Sequence, residues 1–422
     1  MKVAMFRREV TIRTQVIPPW KPICIFDSML RKVAEKINHQ DIEVRDPIGL
    51  NLWDGERKVT NMLVFGGGGF GDKIQCTPAL RKLSAKIGAP IDVAMDDGEA
   101  WENLPYIRRV LPWMVPEETL HHYDAVCSFE DLLGREDEKT DHLAELFAKR
   151  CYVEPLVPGP EIPGTCKCEP GEYECDWVWG QGEENTVFLP PKRSLWIPIQ
   201  VAAHGYSRSW PIENVIVLAM MLAQCEKYNI TPLLIGSAAQ SPHWAIPVHN
   251  WRHELPDPPQ GIFNLCGYFA TMRQLGIFLL HCDLLVAPDS GPLHLAGVLG
   301  VPSIGLYGPH TYETRGKYFP QQKMMQGREH NDPRCPCHCH TDQQDGTIPC
   351  GQNFCKLMSI ITPEHVYRMI VEALDEANVR RADADCDGEH VVAGVDERCG
   401  DSGGADGEVR DDPVPPSADV TC

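Results

Sequence analysis

Short apolar runs alternate with longer segments of helical composition along most of this chain. Two of the runs, at residues 62–65 and 284–287, are four residues long, which is too short for a helix and typical of a buried strand. Each run is followed by a cluster of Gly, Pro or polar residues and then by a segment of helical composition. The alternation occurs twice, within residues 58–152 and 191–377. It predicts an α/β fold with two Rossmann-like domains that face each other across a cleft.

Three segments fall outside this alternation. Residues 1–57 form an N-terminal extension, in which residues 10–16 alternate like a strand and residues 27–37 have the pattern of a short capped helix. Residues 153–190, which are rich in Pro, Gly and acidic residues, are predicted to be a linker with an insertion. Residues 378–422 contain 12 Asp and Glu against 4 Lys and Arg and few large apolar side chains, so they are predicted to be a disordered acidic tail.

The composition indicates a cellular compartment and argues against nucleic acid as a partner. The chain has 422 residues and a formal net charge of -20, so its folded part has no clear footprint for nucleic acid. It contains no run of about 18 apolar residues, and the N-terminus lacks the apolar stretch of a signal peptide. We therefore predict a cytoplasmic location. The 18 cysteines are scattered along the chain, so most of them are predicted to be buried thiols.

A polar turn separates the apolar run at residues 284–287 from the helical segment that follows it. In an open parallel sheet such a turn lies at the carboxyl end of its strand, and the next helix presents free backbone N–H groups there. Asp289, Ser290, Gly291 and His294 are therefore placed to meet an anion or a sugar hydroxyl. The alternative is structural: Ser290 or Asp289 caps the helix and His294 packs in the core.

The loop at residues 66–71 follows the first apolar run and allows several interpretations. Gly66, Gly68 and Gly71 satisfy the dinucleotide pattern G-x-G-x-x-G, with Asp96 or Asp97 near the place of a ribose-binding acid. A Walker loop is excluded, because Asp72 stands between Gly71 and Lys73 and no Ser or Thr follows Lys73.

Two further interpretations of the same loop remain open. Gly69 and Gly71 bring the backbone and the Asp72 carboxylate to a substrate at the head of the sheet, where Asp72 takes a proton from an acceptor hydroxyl. Alternatively, the glycines merely allow the strand and the helix to pack closely.

Short motifs follow one another in a fixed order along roughly residues 60–375. They are Gly71-Asp72 with Thr77-Pro78-Ala79-Leu80, Arg208-Ser209-Trp210-Pro211, Leu233-Leu234-Ile235-Gly236, Leu265-Cys266-Gly267, Asp289-Ser290-Gly291-Pro292-Leu293-His294, Leu299-Gly300-Val301-Pro302 and Leu306-Tyr307-Gly308-Pro309. Together they resemble glycosyltransferase family 9, the bacterial heptosyltransferase-like enzymes of the GT-B fold. The resemblance implies a GT-B arrangement of two Rossmann-like domains across a cleft.

The resemblance also implies roles for individual residues. Asp72 would be the general base on the acceptor hydroxyl, and Arg208 would bind the donor diphosphate. Ser290 and Gly291 would hold phosphate oxygens, with Asp289 and His294 shaping the donor pocket near Gly236. A guanidinium and a helix N-terminus stabilise a leaving diphosphate without a metal, so no cofactor is expected to be required for catalysis.

The implied reaction is an inverting transfer of a sugar, such as a heptose, from a nucleotide-diphosphate donor. The implied acceptor is a glycan, a lipid-linked glycan or lipopolysaccharide, and through it the enzyme would touch the inner membrane peripherally. Two alternatives stay open from the residues themselves. One is a dinucleotide-binding oxidoreductase that uses the Gly66–Gly71 loop, and the other is a non-catalytic protein that binds a nucleotide sugar.

A cysteine-rich loop lies near the end of the second domain. Its thiols are Cys335, Cys337, Cys339, Cys350 and Cys355. Thiolates interleaved with histidines are suitable ligands for structural zinc, but the C-x-C-x-C spacing differs from the usual C-x2-C knuckle. The loop is therefore predicted either to hold a structural zinc ion or to be a buried or redox-sensitive loop. Cys166, Cys168 and Cys175 could join it only if the linker folds back.

Overall fold

The computed structural model describes the larger part of the chain. The described residues are 2–25, 41–129, 140–153, 194–203, 207–237, 261–327 and 355–388, apart from residues 8, 13, 14, 49, 67, 96 and 97, together with Leu30, Leu132, Trp179 and Glu183. Several predicted features lie outside the described residues: the helix at residues 27–37 (except for Leu30), Asp96 and Asp97, most of the linker at residues 153–190, and the cysteine loop before Cys355.

The order of elements is mostly that of a repeated strand and helix. The strands are β1 Lys2–Phe6, β2 Val10–Ile12, β3 Gln15–Ile17, β4 Ile23–Ile25, β5 Ile42–Arg45, β6 Met62–Phe65, β7 Ile91–Ala94, β8 Ile107–Leu111, β9 Val115–Pro116, β10 Ala125–Ser128, β11 Leu195–Gln200, β12 Ile230–Ile235, β13 Phe263–Asn264, β14 Leu285–Pro288, β15 Ser303–Tyr307 and β16 Gln322–Gln326. The helices are α1 Phe70–Gln75, α2 Thr77–Ile87, α3 Glu117–Leu120, α4 Leu143–Cys151, α5 Ile212–Ala223, α6 Met272–Leu280, α7 Gly291–Val298, α8 Tyr312–Arg315, α9 Lys356–Ile360 and α10 Pro363–Gly388, with a 3-10 turn at Glu99–Trp101.

Two parallel sheets form the core. The first has the strand order β10-β6-β7-β8, and the second has the order β13-β12-β11-β14-β15-β16. All neighbouring strands within these two sheets run parallel. Strands β6 and β14 are buried at every position, as expected for parallel strands that are covered on both faces. The apolar runs at residues 62–65 and 284–287 are thus strands, as predicted.

The N-terminal extension is part of the folded core, which the sequence pattern did not indicate. Strands β1, β4 and β5 form an antiparallel sheet that also contains β9, so residues of the extension pair with a strand that lies between β8 and β10 of the first parallel sheet. Val3 and Cys24 pack with Leu63 and Phe65 of β6 in one apolar cluster. The predicted strand at residues 10–16 is instead the antiparallel pair of β2 and β3.

The helix after the first Gly-rich loop is also different from its prediction. The helical composition of residues 73–86 predicts a single helix, but the structure has α1 and α2 with a break at Cys76. Pro78 lies in the first turn of α2, where its missing N–H costs nothing and its ring would clash with a continuous preceding turn. The break sets the direction of α1, which carries Asp72, independently of α2.

The helices and loops that flank the two parallel sheets contact each other directly. Helix α1 lies against α7, and the main apolar cluster includes residues from both sheets. The Glu99 carboxylate accepts hydrogen bonds from the backbone N–H groups of Met272 and Arg273, at 2.8 Å and 3.3 Å, and so caps α6. Lys317 donates to Glu145 of α4 at 3.0 Å. Residues Met1–Glu372 form one compact unit.

The last helix corrects the predicted start of the acidic tail. Helix α10 continues to Gly388, beyond the predicted boundary at residue 378, because the first part of the tail still contains Ala and Arg, which favour a helix. Residues 389–422 lie outside the described residues. Among the helices that the structure describes, none is both long enough and apolar enough to cross a membrane.

Candidate active site

Two loops with candidate side chains lie next to each other where α1 meets α7. The first follows β6 and leads to Asp72 in the first turn of α1, and the second follows β14 and carries Asp289. Each loop lies at the carboxyl end of a parallel strand, which is where open α/β sheets bind their ligands. A Cβ atom added to Gly71 would meet the imidazole of His294. The tertiary structure therefore brings the two predicted loops together.

The Gly-rich loop holds the Asp72 carboxylate against its own backbone. The Gly69 N–H donates to Asp72 Oδ2 at 2.6 Å, so the carboxylate caps the start of α1. Gly68 has φ +87° and lies so close to Asp72 that a Cβ atom there would be 2.7 Å from its Cγ. Asp72 is half-buried, while Gly68 and Gly69 are exposed. The glycines thus leave a half-buried carboxylate beside the exposed backbone of the loop.

This geometry argues against the dinucleotide interpretation of Gly66, Gly68 and Gly71. In that interpretation a pyrophosphate occupies the helix N-terminus, but here a negative carboxylate already accepts the N–H of the N-cap residue. Gly66 is buried against Met95 and Trp101, and Gly71 against His294. Close packing or the position of Asp72 therefore explains the presence of each of the three glycines.

Asp289 and His294 form a buried pair at the start of α7. His294 Nε2 lies 3.1 Å from Asp289 Oδ1, and both side chains are about 5% exposed. Arg315 lies 4.0 Å from the other carboxylate oxygen and is itself buried. Burial by itself raises the pKa of Asp289. The hydrogen bond from His294 and the nearby charge of Arg315 outweigh burial and hold the pKa of Asp289 well below its usual range.

The Ser290 hydroxyl group does not cap α7, whereas His294 is buried as the structural interpretation expects. The Ser290 Oγ lies 2.6 Å from Gln200 Oε1 and 2.8 Å from the Pro288 carbonyl oxygen, and its single proton can be donated to either acceptor. No side-chain cap bond is formed at this helix start. Gly291 begins α7, and a Cβ atom there would be in contact with Phe70 of α1 and Met272 of α6 at 3.4 Å. The first turn of α7 thus has no side-chain cap and packs against Phe70 and Met272.

Arg208 reaches the same turn from the loop before α5. Its Nη1 donates to the Asp289 carbonyl oxygen at 3.2 Å, and the side chain is partly exposed. Gly236 follows β12, where a Cβ atom would be 2.9 Å from Val201 Cγ2. The backbone N–H of Gly267 donates to the Gly236 carbonyl at 2.8 Å, so this turn is held against the next one. Arg208 lies at the predicted donor side of the site.

Three buried polar side chains at the site were not among the residues predicted from the sequence. Gln200 ends the apolar strand β11, and a polar residue at the carboxyl end of a buried strand is a signal that could have identified it. Gln75 is the last residue of α1 and has no exposed surface. Its amide NH₂ group donates to the imidazole of His294 and to the backbone carbonyl oxygen of Arg315. Arg315 lies in the short helix α8, and no pattern in its neighbourhood distinguishes it.

The cysteine loop is not part of this arrangement in the described residues. Of its five candidate thiols only Cys355 is described, and it is buried immediately before α9. The described part of the chain contains no group of three or more His, Cys, Asp or Glu side chains that could hold a metal ion. Cys335, Cys337, Cys339 and Cys350 lie outside the described residues, so the zinc prediction stays a prediction.

Comparisons with known proteins agree with the motifs. Residues 184–343 match the family model for glycosyltransferase family 9 (heptosyltransferase). A search of curated proteins finds no match. Among solved structures, the ADP-heptose lipopolysaccharide heptosyltransferase II of E. coli has a TM-score of 0.51 at 16% identity, over 76% of this chain and 100% of that chain.

A second solved protein has the same level of similarity. The iron-containing dodecameric glycosyltransferase TibC from enterotoxigenic E. coli H10407 has a TM-score of 0.50 at 14% identity, over 77% of this chain and 80% of that chain. A structure of TibC in complex with ADP-D-beta-D-heptose has a TM-score of 0.51 at 12% identity, over 80% and 82% of the two chains. At these identities the similarity shows a shared fold, a mixed α/β fold with parallel sheets.

Proposed function

We propose that this chain is a glycosyltransferase, of which residues 184–343 match the family 9 model, and that it transfers a sugar from a nucleotide-diphosphate donor to a glycan or lipopolysaccharide-type acceptor. The observation that supports this most directly is the contact between α1 and α7, which puts the Asp72 loop beside the Asp289 loop. A carboxylate on one side and a cation with an uncapped helix start on the other are the groups that such a transfer needs.

In the proposed reaction Asp72 is the general base. Its carboxylate takes the proton of the acceptor hydroxyl while the acceptor oxygen bonds to the anomeric carbon. The bond from that carbon to the diphosphate oxygen breaks, and its electron pair leaves with the nucleoside diphosphate. A single displacement of this kind inverts the anomeric configuration. The hydrogen bond from the Gly69 N–H leaves lone pairs on Asp72 for the incoming proton.

The donor diphosphate is proposed to lie at the first turn of α7. Arg208 would pair with the phosphate oxygens, since its Nη1 is already held at the Asp289 carbonyl. The Gly291 N–H and the Ser290 hydroxyl would complete the site, and Gly236 would line its far side. The dipole of α7 adds positive potential at the same place. Asp289 and His294 would shape the pocket rather than bind phosphate, because Asp289 is a buried carboxylate.

The two solved relatives suggest a first donor to test. One is named as an ADP-heptose heptosyltransferase, and the other was solved with ADP-D-beta-D-heptose. ADP-heptose is therefore the first donor, with other nucleotide-diphosphate sugars beside it. Catalysis without a metal, peripheral contact with the inner membrane through the acceptor, and a cytoplasmic location belong to the same proposal.

The test replaces Asp72 by Asn, which keeps an oxygen that can accept the Gly69 N–H. Transfer is measured as release of the nucleoside diphosphate, and donor binding as the shift in melting temperature with the donor. General base catalysis contributes roughly 10²- to 10⁴-fold, so we expect turnover to fall by at least about 100-fold. Donor binding is expected to change by less than about twofold, because Asp72 does not face the donor phosphates in this proposal.

Asp54 provides a matched control. Its carboxylate also accepts backbone N–H groups, from Glu56 and Arg57 at 3.1 Å and 3.0 Å, but it lies in an exposed turn of the N-terminal extension. Asp54→Asn should therefore keep wild-type turnover. Turnover of Asp72→Asn within threefold of wild type would contradict the base assignment. A wild-type chain that binds a nucleotide sugar but transfers it to no acceptor would indicate the non-catalytic alternative.

A further inference from the structure

Gln75 is the side chain by which α1 is bonded to the donor side of the site. It is buried with no exposed surface, and its Nε2 lies 3.0 Å from His294 Nδ1 and 3.1 Å from the Arg315 carbonyl oxygen. We propose that Gln75 is a positioning residue that fixes the tautomer of His294 and holds the helix of Asp72 against the Asp289 loop. This inference rests on the proposed function for its effect on turnover.

The direction of these bonds follows from what each atom can do. A backbone carbonyl accepts only, so the atom that faces the Arg315 carbonyl must be the NH₂ group of the Gln75 amide. The same NH₂ group then donates its second hydrogen to His294. The other ring nitrogen of His294 is 3.4 Å away and lies 3.1 Å from Asp289 Oδ1. His294 Nδ1 is therefore the acceptor, and it carries no proton.

The tautomer of His294 is fixed as a consequence. With Nδ1 unprotonated, a neutral ring carries its proton on Nε2 and donates it to Asp289 Oδ1. One chain of hydrogen bonds then runs from Gln75 on α1 through His294 on α7 to Asp289 after β14. The Gln75 Oε1 atom has no hydrogen-bond partner in the described part of the chain. Only the donor end of the amide is used.

Charged and titratable groups from several elements surround the hydrogen-bonded chain of Gln75, His294 and Asp289. Asp289 faces His294 directly. Arg315 and His310, in the segment after β15, both lower the pKa of Asp289 through their charge. His142, at the start of α4, is also close enough to be affected by His294. On α1 itself the nearest acid is Asp72, one turn before Gln75. Gln75 is thus the uncharged donor in a group of titratable side chains.

The position of Gln75 in α1 explains why it should affect the reaction. Asp72 and Gln75 are three residues apart, so they lie on neighbouring parts of one helical surface. Gly71 lets α1 approach His294, and Gln75 supplies the bond that orients this approach. Loss of the bond should leave the donor loop intact while the base moves relative to it. We therefore expect turnover to change more than the affinity for the donor.

The experiment uses Gln75→Met and Gln75→Glu in the full chain. Met keeps a similar volume but donates no hydrogen bond. We expect kcat to fall about 10- to 100-fold, with the donor KM changed by less than about threefold. Glu places an acceptor at His294 Nδ1, so the ring should carry hydrogen on both nitrogens.

The tautomer is read directly from the nitrogen shifts of ¹⁵N-histidine-labelled protein, assigned with His294→Asn. Wild type should show His294 with Nδ1 unprotonated, Gln75→Met an altered Nδ1 shift because the ring loses its donor there, and Gln75→Glu a doubly protonated ring. Gln322→Met is the matched control, because it replaces another buried glutamine, one that bonds Tyr307. It should leave the His294 shifts and kcat at their wild-type values. Melting temperatures exclude unfolded variants.

Two results would overturn the inference. One is a wild-type His294 with hydrogen on Nδ1, and the other is a folded Gln75→Met variant with wild-type kcat and unchanged His294 shifts. A wild-type protein that transfers no sugar would contradict the proposed function instead. In that case the shifts of the Gln75 variants still decide whether Gln75 sets the tautomer. If Gln75→Met fails to fold, Gln75→Glu tests the same bond through the second proton on the ring.

Discussion

Gly71 allows the closest approach between the Asp72 loop and the donor side, and Gly71→Ala tests how much that approach matters. A Cβ atom there would lie 3.1 Å from Cγ and Nε2 of His294 and closer still to Cδ2, whereas ordinary contact begins at 3.4 Å. His294 is buried and bonded to Asp289, so the ring cannot simply turn away. Helix α1 or the ring must therefore move by about 1 Å, since protein interiors have few voids that could absorb the methyl group.

The expected loss is much larger in activity than in stability. Overpacking costs roughly 1–3 kcal/mol, and the better helix propensity of Ala returns about 1 kcal/mol, so we expect a net loss of about 0–2 kcal/mol. A displacement of about 1 Å between catalytic groups can cost about 100-fold in rate. Gly71→Ala should therefore fold with a slightly lower melting temperature and lose about 10- to 100-fold in turnover.

Turnover is measured by release of the nucleoside diphosphate, and stability by urea unfolding. Gly88→Ala is the matched control, because Gly88 has φ +70° but no atom within 4 Å of an added Cβ. An alanine there costs about 1 kcal/mol of backbone strain at the end of α2, away from the site. A Gly71→Ala enzyme with wild-type turnover, or one that loses turnover only in parallel with Gly88→Ala, would refute the reasoning.

The other predictions concern stability and metal content. Asp92 is fully buried between Arg108 and Arg109, at 2.7 Å and 2.5 Å; burial raises its pKa, but their hydrogen bonds lower it from 3.8 to about 2. A lowered pKa means that ionised Asp92 stabilises the fold above its usual pKa, and this stabilisation is lost as the pH falls from about 4 to about 2. Asp92→Asn should therefore cost about 1–2 kcal/mol at pH 7, a value discounted because the arginines are 40% and 58% exposed, and it should flatten acid unfolding over that range. An unchanged acid transition in urea titrations would contradict this prediction. If the cysteine loop at residues 335–355 holds a structural metal, dialysed protein should contain stoichiometric zinc or iron by elemental analysis, and its absence would rule the metal out.

Much of the local structure could be predicted because it depends on short-range patterns. Strands β6 and β14 follow from four-residue apolar runs between breakers, and the positions of Asp72 and Asp289 follow from the rule that loops at the carboxyl ends of parallel strands bind ligands. The break of the first helix at Cys76 could also be read from Pro78. The pairing of the extension with β9 could not, because antiparallel partners far apart in sequence leave no local signal.

The sequence by itself therefore identified the candidate loops and the family that their motifs resemble. Asp72, Arg208 and Asp289 are recognisable from motifs that span a few residues, since a strand, a turn and a helix start are local events. Only the tertiary structure decided that the amide of Gln75 meets His294, 219 residues later in the chain, and that the buried carboxylate of Asp289 has Arg315 beside it. The physical reason is that a hydrogen bond or an ion pair depends on distance and direction in space, and these are set only when α1 packs against α7.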